Sequence, residues 1–401
     1  MIRTRCCIAG GGPAGMMLGY LLARAGIDTL VLEKHADFLR DFRGDTVHPS
    51  TLEVMHELGL LEEFLKRPHQ KVSQVGGMVA GMPVVMADFS HLPVRCGFIA
   101  FMPQWDFLDF LALHGSALPG FHLKMQSEVT DLLEADGKVV GVKTRTQQGE
   151  IEIQADLVVG ADGRDSDVRE RADLPIEEFG APMDALWMRL SKRPDDPVTT
   201  LGRIDAGRIF VTMDRGDYWQ CAYVIAKGSN EIIRSKGLPE FREGVAAIAP
   251  FLRDRVGELK AWSEVKLLTV QVNRLKRWHR PGLLCIGDAA HAMSPIGGVG
   301  INLAVQDAVA AANILVPAFS KGEITKEDLA AIQRRREFPT RMTQRMQLFL
   351  QNRVISRVLA SGTRPGIAWP IRLMQRWPFL RRIPARLIGM GFRPEHVRTS
   401  R

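Results

Sequence analysis

The chain has 401 residues, 46% of them hydrophobic and 24% charged; that length exceeds one simple core, and that composition excludes disordered and fibrous classes. The net charge of +8 is unevenly placed: residues 334–401 hold sixteen Arg, no Lys and only the acids Glu337 and Glu395, a balance of +14, which leaves −6 for the rest. The five cysteines (Cys6, Cys7, Cys96, Cys221, Cys285) form no C-x-x-C pair or metal-spaced set with His; with no signal leader and no apolar run of roughly eighteen residues, the expectation is a cytoplasmic protein with reduced structural thiols and no metal.

The opening stretch RTRCCIAGGGPAG reads as a strand and a tight glycine turn, followed by a helix over MMLGYLLARAG and a second strand, DTLVLEK, that ends at Glu33. After a turn-rich loop, Ser50 or Thr51 is the expected N-cap of a helix ending near Gly59. Residues 73–103 read as β-structure outside this first unit, and QWDFLDFLALHG as an amphipathic helix. FHLKM, SEVTDLLEA and KVVGVKTRT read as strands, the last two joined by a hairpin turn at Asp136-Gly137. DLVVGADGR is a buried strand running into a second glycine turn. Longer β-like runs with one helical insertion occupy about 175–275, before a buried strand, LLCIG, and a long helix from about Gly298 to Val316. The basic tail reads as short amphipathic helices broken by Pro365, Pro370, Pro378 and Pro384.

Gly10-Gly11-Gly12-Pro13-Ala14-Gly15 matches G-x-G-x-x-G between a predicted strand and helix. Gly10 permits the tight turn, Gly12 lets a pyrophosphate reach the backbone, and Gly15 lets the helix pack close to the strand. The helix N-terminus offers free N–H groups and the positive end of its dipole to phosphates. Glu33 stands eighteen residues after Gly15, where a carboxylate accepts hydrogen bonds from a ribose; Lys34 beside it is taken as a cofactor-side residue. An acid here disfavours a 2′-phosphate, which points to the adenosine half of FAD or NAD.

Two later motifs carry a resemblance. The run from Asp156 through Gly160-Ala161-Asp162-Gly163-Arg164 to Ser166 and Arg169 resembles the second signature of class A, single-component FAD-dependent aromatic monooxygenases. Gly287-Asp288-Ala289-Ala290-His291, followed by Pro295, Gly297-Gly298, Gly300, Ile301 and Asn302, resembles their third. The likeness to this para-hydroxybenzoate hydroxylase-like family spans most of residues 5–316, with the motifs in the family's order. It implies an α/β fold: a Rossmann-like FAD-binding domain (1–72, 104–172 and 276–330), an inserted β-sheet substrate domain (73–103 and 173–275) and C-terminal helices in a basic segment (331–401).

The resemblance places Asp162 and Gly163 near the FAD pyrophosphate, Arg43 beside Gly44 against FAD, Gln104 near the ribityl chain and Val129 in a strand whose backbone meets the adenine. Asp288 is suited to accept from a ribitol hydroxyl. Backbone N–H groups at Gly298, Gly300, Ile301 and Asn302 are suited to the flavin pyrimidine edge, where reduced flavin carries negative charge.

The family's chemistry is reduction of FAD by NADH or NADPH, capture of O₂ as a flavin C4a-hydroperoxide, and hydroxylation of an activated ring. Because no second glycine fingerprint is present, NAD(P)H is expected to bind transiently on the FAD domain. The resemblance puts Pro295 close to the reactive part of the flavin; His48, Trp187, Arg189, Trp219 and Tyr223 are pocket candidates, and no general base is assigned. No dense Arg or His cluster for a small carboxylate is evident, so an aromatic or polycyclic, polyketide-like small molecule is the expected substrate of a monomer or homodimer.

The tail has two readings: contact with an anionic membrane surface, or an apolar side that covers a domain interface with its arginines solvated or near NADPH phosphates. The second is preferred, and no nucleic-acid module is present. Competing functions are a flavin-dependent halogenase, whose W-x-W-x-I-P segment is missing, a flavin-dependent reductase of a prenyl-type lipophilic substrate, and an FAD-binding protein without turnover.

Overall fold

The computed structural model describes residues 2–39, 45–197 and 201–399. Strand Ile2–Ala9, with its buried Cys6, Cys7 and Ile8, forms the centre of an eight-stranded sheet. It pairs in parallel with Thr29–Leu32 on one side and Gly149–Gly160 on the other, and Leu283–Cys285 continues the parallel order beyond the latter. The register sets Ala9 opposite both Leu32 and Gly160, and Gly160 opposite Cys285. Four carboxyl ends therefore finish at one level, the edge where open α/β sheets bind ligands. The first half of Gly149–Gly160 also pairs antiparallel with the hairpin Glu128–Ala135/Lys138–Thr146, whose turn residues Asp136 and Gly137 both have positive φ, as the Asp-Gly pair predicts.

Helix α1 (Pro13–Arg24) is buried along nearly its whole length between this sheet and its neighbouring helices, because Gly15 and Gly19 let the backbones approach. Helix α2 covers Pro49–Glu57 and α3 covers Gln104–Ser116. The N-cap of α2 is His48 with Pro49 in the first turn, so Ser50 and Thr51 lie inside the helix instead of capping it; the fixed φ of proline starts the helix without a side-chain cap.

A second, seven-stranded sheet runs in the order Lys266–Leu268, Met183–Ser191, Tyr218–Ala226, Arg208–Asp214, Leu201–Asp205, Gln74–Val79, Met82–Asp88. Helix α4 (Leu238–Ile248) covers one of its faces, where Phe241 and Val245 pack against Leu186, Met188, Phe210 and Trp219.

Helix α5 (Gly300–Lys321) extends past the expected stop near Val316, carries Pro317 within it and ends at Gly322 with φ 95°. It is long and apolar enough to cross a bilayer, yet 78% of its apolar window is buried inside the protein, as a core helix requires. Helix α6 (Lys326–Leu350) packs along it.

In the tail, Pro370 and Pro378 lie in the first turns of helical segments, α7 (Trp369–Arg376) and Pro378–Arg381, and Pro384 lies in the first turn of α8 (Arg382–Gly389). These three prolines open helices instead of breaking them, because first-turn N–H groups have no intrahelical partner to lose. The five cysteines are free and buried.

Candidate active site

The three motif turns meet at the level strand ends. Gly10 (φ 108°) lies so close to the second motif that a Cβ on it would overlap the Ala161 carbonyl oxygen, and a Cβ on Gly15 would overlap the Gly10 carbonyl oxygen. The third motif closes the group from the other side: a Cβ on Gly287 (φ 60°) would stand 3.0 Å from Ala14 Cβ. Arg164 Nη2 comes within 3.9 Å of Asp288 Oδ2, and the buried Arg169 donates to the Ala289 carbonyl at 3.3 Å. Segments distant in sequence are thus in contact through glycine-sized gaps.

Gly12 differs from its neighbours. Among the described residues, the nearest atom to a Cβ built on it is Ala161 O at 3.9 Å, so they leave the face in front of Gly12 open. Helix α1 begins there with no side-chain cap and no acid in its first turn. Helix α5 likewise begins at Gly300 without a side-chain cap or first-turn acid, after Gly297 and Gly298 at φ 81° and 63°. Two uncapped helix N-termini, each preceded by glycines, provide two places for the negatively polarised groups of one long ligand.

Glu33 is buried at the end of its strand, and its carboxylate accepts from the backbone N–H groups of Gly11 (3.1 Å) and His35 (3.0 Å). Lys34 is exposed, and Arg43 and Gly44 lie outside the described residues. The Val129 side chain is in the main core. Gln104 is half-buried at the start of α3, and its backbone N–H donates to the carboxylate of Asp45. Burial pushes the Asp45 carboxyl up to about 6 against the opposing pull of Arg215 and Gln220, which both bond to it from the seven-stranded sheet. Asp45 therefore ties the α3 start to that sheet.

Asp162 is held by local bonds: Ser166 Oγ donates to it at 2.5 Å and the Val168 N–H at 3.1 Å, while Ser166 in turn caps the short helix Asp167–Arg171. Burial pushes its carboxyl above the usual range. Gly163 (φ 96°) beside it is open, with nothing among the described residues within 4 Å of a built Cβ. The Asn302 side chain, distinct from the backbone N–H that the resemblance turns to the flavin, is engaged within the protein. Its Oδ1 accepts from His48 N–H (2.9 Å) and Thr51 Oγ1 (2.7 Å), and its Nδ2 donates to the Thr46 carbonyl (3.3 Å). That side chain clamps α5 to strand Thr46–Val47 and α2, because a buried amide must satisfy its bonds within the protein.

Sequence reasoning missed the supports of the third motif. Asp307 on α5 accepts from the Gly287 N–H (3.1 Å), from His291 Nε2 (2.5 Å) and from Arg336 Nε (2.8 Å), all four residues being buried. Although burial opposes it, the charges and hydrogen bonds of His291 and Arg336 hold the Asp307 carboxyl below its usual range. Gln347 on α6 brackets Pro295: its Oε1 accepts from the Ser294 N–H and its Nε2 donates to the Ser294 and Ile296 carbonyls. Gln344 one turn earlier donates to the Asn273 and Ala292 carbonyls. The available signal was Gln344, Gln347 and Gln351 at helical spacing, on one face of a helix whose other polar residues are mostly charged.

The pocket candidates divide by strand register. On Tyr218–Ala226, Trp219, Cys221 and Tyr223 alternate with Gln220 and Ala222, and Met183–Ser191 pairs so that Leu186 faces Tyr223 while Trp187 lies opposite Ala222 and Arg189 opposite Gln220. Trp219 and Tyr223 pack with the α4 core, Tyr223 against Phe210 and Phe241. They lie on the sheet face that α4 covers, because successive side chains point to opposite faces of a sheet. Trp187 and Arg189 share the other face with Gln220, the residue bonded to Asp45; Arg189 also stacks on Tyr218, 4.8 Å from its ring centroid. His48 is fully buried: its Nδ1 donates to the Ile388 carbonyl at 2.8 Å, Nε2 has no hydrogen-bond partner among the described residues, and burial lowers its pKa to about 4. Pro295 is exposed.

The family model of the FAD binding domain matches residues 3–346. The chain belongs to that family. A 6-methylpretetramide 4-monooxygenase of Streptomyces rimosus is 31% identical over 99% of this chain and 94% of its own length. A dialkyldecalin synthase of Streptomyces rugosporus is 28% identical over 75% of this chain, which spans 63% of that longer protein. Among solved structures, the OxyS anhydrotetracycline hydroxylase from Streptomyces rimosus superposes with a TM-score of 0.74 at 25% identity, over 97% of this chain and 76% of that one. PqsL from Pseudomonas aeruginosa, at 21% identity, shares the fold with a TM-score of 0.75 over 89% of this chain and 98% of that one. The protein is an FAD-dependent monooxygenase of the para-hydroxybenzoate hydroxylase-like fold. The open face at Gly12, the two uncapped helix ends and the fixed Glu33 carboxylate fit that cofactor.

Proposed function

We propose that this flavoenzyme hydroxylates an electron-rich ring of a polycyclic aromatic small molecule of polyketide type, in the cytoplasm. The observation that carries the reading is that the 31% identity to a 6-methylpretetramide 4-monooxygenase covers 99% of the chain, so the likeness includes the seven-stranded sheet as well as the nucleotide turns. Five buried free thiols suit a reducing compartment.

When bound, the flavin supplies the redox chemistry, taking electrons from NAD(P)H and delivering one atom of O₂ to the ring. The protein binds and orients. Gly10, Gly12 and Gly15 with the α1 N-terminus receive the pyrophosphate, Glu33 accepts from ribose hydroxyls, and Asp288 accepts from the polyol chain. The Gly298–Ile301 backbone, at the uncapped start of α5, faces the pyrimidine edge and stabilises negative charge there. Asp162 is a positioning residue that shapes the Gly163–Val168 loop. The units are residues 1–72, 104–172 and 276–330 for the cofactor and 73–103 with 173–275 for the substrate, whose ring lies against the sheet face bearing Trp187 and Arg189.

The test is the visible spectrum of the purified protein, followed by NADH and NADPH oxidation under air with a panel of phenols and polycyclic aromatics. An oxidised-flavin spectrum, substrate-stimulated O₂ uptake and an oxygenated product are expected. NAD(P)H oxidation that reduces a substrate without O₂ uptake would overturn the hydroxylase assignment in favour of a reductase.

A further inference from the structure

Between Glu337 and Glu395 the chain carries eleven Arg and neither an acidic residue nor a lysine. The structure places the end of this stretch as a platform on an edge of the seven-stranded sheet. Gln375 of α7 bonds to edge strand Met82–Asp88 as another strand would, with Nε2 donating to the Val85 carbonyl at 2.8 Å. Ala385, Ile388 and Met390 of the α8 region pack on Ala87, Phe89 and Leu92. The His48 bond to the Ile388 carbonyl joins the platform to the catalytic body. Part of the tail thus covers an interface as the sequence suggested; its outer face does not.

That outer face exposes Trp369 (74%), Trp377 (48%), Phe379 (62%) and Ile383 (60%). Arg372 and Arg376 share the exposed side of α7 with Trp369, at positions i, i+3 and i+7, and Arg382 and Arg386 flank Ile383 on α8. None of these four arginines forms an ion pair among the described residues, whereas Arg335, Arg336 and Arg364 do. Large apolar side chains left in water beside unpaired guanidinium groups suit a partner that is apolar within and anionic at its surface.

We propose that the α7–α8 platform docks on an anionic phospholipid bilayer, its four apolar side chains entering the interfacial layer and its arginines meeting lipid phosphates. A second copy of the chain would oppose arginine to arginine, so charge complementarity favours the lipid surface. The inference does not depend on the proposed substrate.

The experiment is co-sedimentation of the FAD-loaded full chain with vesicles of phosphatidylcholine alone or mixed with phosphatidylglycerol, at low and high salt. Binding to the mixed vesicles alone, weakened by salt, is expected. W369S/W377S/F379S/I383S and R372Q/R376Q/R382Q/R386Q should each keep the flavin spectrum and bind at least about tenfold more weakly. As a test that does not depend on those variants folding, brominated lipid should quench the tryptophan emission of the parent, and the conservative W369F/W377F variant should lose that quenching. The proposal is overturned if the parent stays in the supernatant with mixed vesicles, if its emission is not quenched, or if sedimentation velocity shows a dimer that the substitutions dissociate, which would make the face a self-association surface.

Discussion

Arg336 of α6 donates from Nε to Oδ1 of Asp307 in α5 at 2.8 Å, and both side chains are buried. The pair lies directly beneath the third motif, because the same carboxylate receives the Gly287 N–H one residue before Asp288. Removing either partner leaves a buried charge under-compensated: among the described residues Asp307 keeps only His291, and Arg336 keeps only Glu395 at 3.7 Å. Asp307→Asn or Arg336→Met should therefore cost about 3–5 kcal/mol of stability in chemical denaturation, and should weaken FAD binding by freeing the Gly287 turn. Loss of less than about 1 kcal/mol would mean that the network contributes no more than a surface ion pair.

Gly12 and Gly10 separate ligand space from protein space. At Gly12 the polypeptide leaves room for a side chain, so Gly12→Val should fold with little change in the melting temperature of the apoprotein yet fail to retain flavin through gel filtration. Gly10→Ala meets the Ala161 carbonyl and a positive φ, so it should lower the stability of the apoprotein as well. Full FAD occupancy in Gly12→Val would contradict the assignment of that face to the pyrophosphate.

Burial holds His48 neutral, with a pKa of about 4 against an ordinary value of 6.5. Above pH 6.5 both folded and unfolded forms are neutral and the residue contributes no pH dependence. As pH falls from 6.5 toward 4 the unfolded chain takes up the proton and the folded one does not, so stability drops, by about 3 kcal/mol in total. His48→Asn keeps a donor for the Ile388 carbonyl and should flatten this part of the stability–pH curve. An unchanged slope would assign the acid sensitivity to other groups.

The register of the seven-stranded sheet makes a paired kinetic prediction. Trp187→Ala and Arg189→Ala should raise KM for the aromatic substrate several-fold while FAD stays bound, since their face is shared with the Asp45-bonded Gln220. Tyr223→Phe should leave kcat and KM unchanged, and Tyr223→Ala should cost about 3 kcal/mol of stability by opening a gap against Phe210 and Phe241. A kinetic defect in Tyr223→Phe would place the phenol in the pocket after all.

The amino-acid sequence by itself determined the nucleotide side of this protein. Glycine spacing, the strand before it and the acid at Glu33 specify a βαβ turn because each depends on local backbone sterics, and Asp136-Gly137 specifies its hairpin for the same reason. The tertiary structure alone decided which polar groups act together. The Asn302 side chain serves as a clamp because its neighbours Thr46, His48 and Thr51 arrive from some 250 residues away. The Asp307–Arg336 pair and the bracket from Gln347 need α5 and α6 side by side, which no local pattern encodes. Trp219 and Tyr223 lie under α4: strand alternation tells which residues share a face, but only packing shows which face α4 covers. The tail was legible in charge and not in placement: its composition gave sixteen arginines, and the docking of Gln375, Ala385 and Ile388 settled which side of the helices is covered and which meets water.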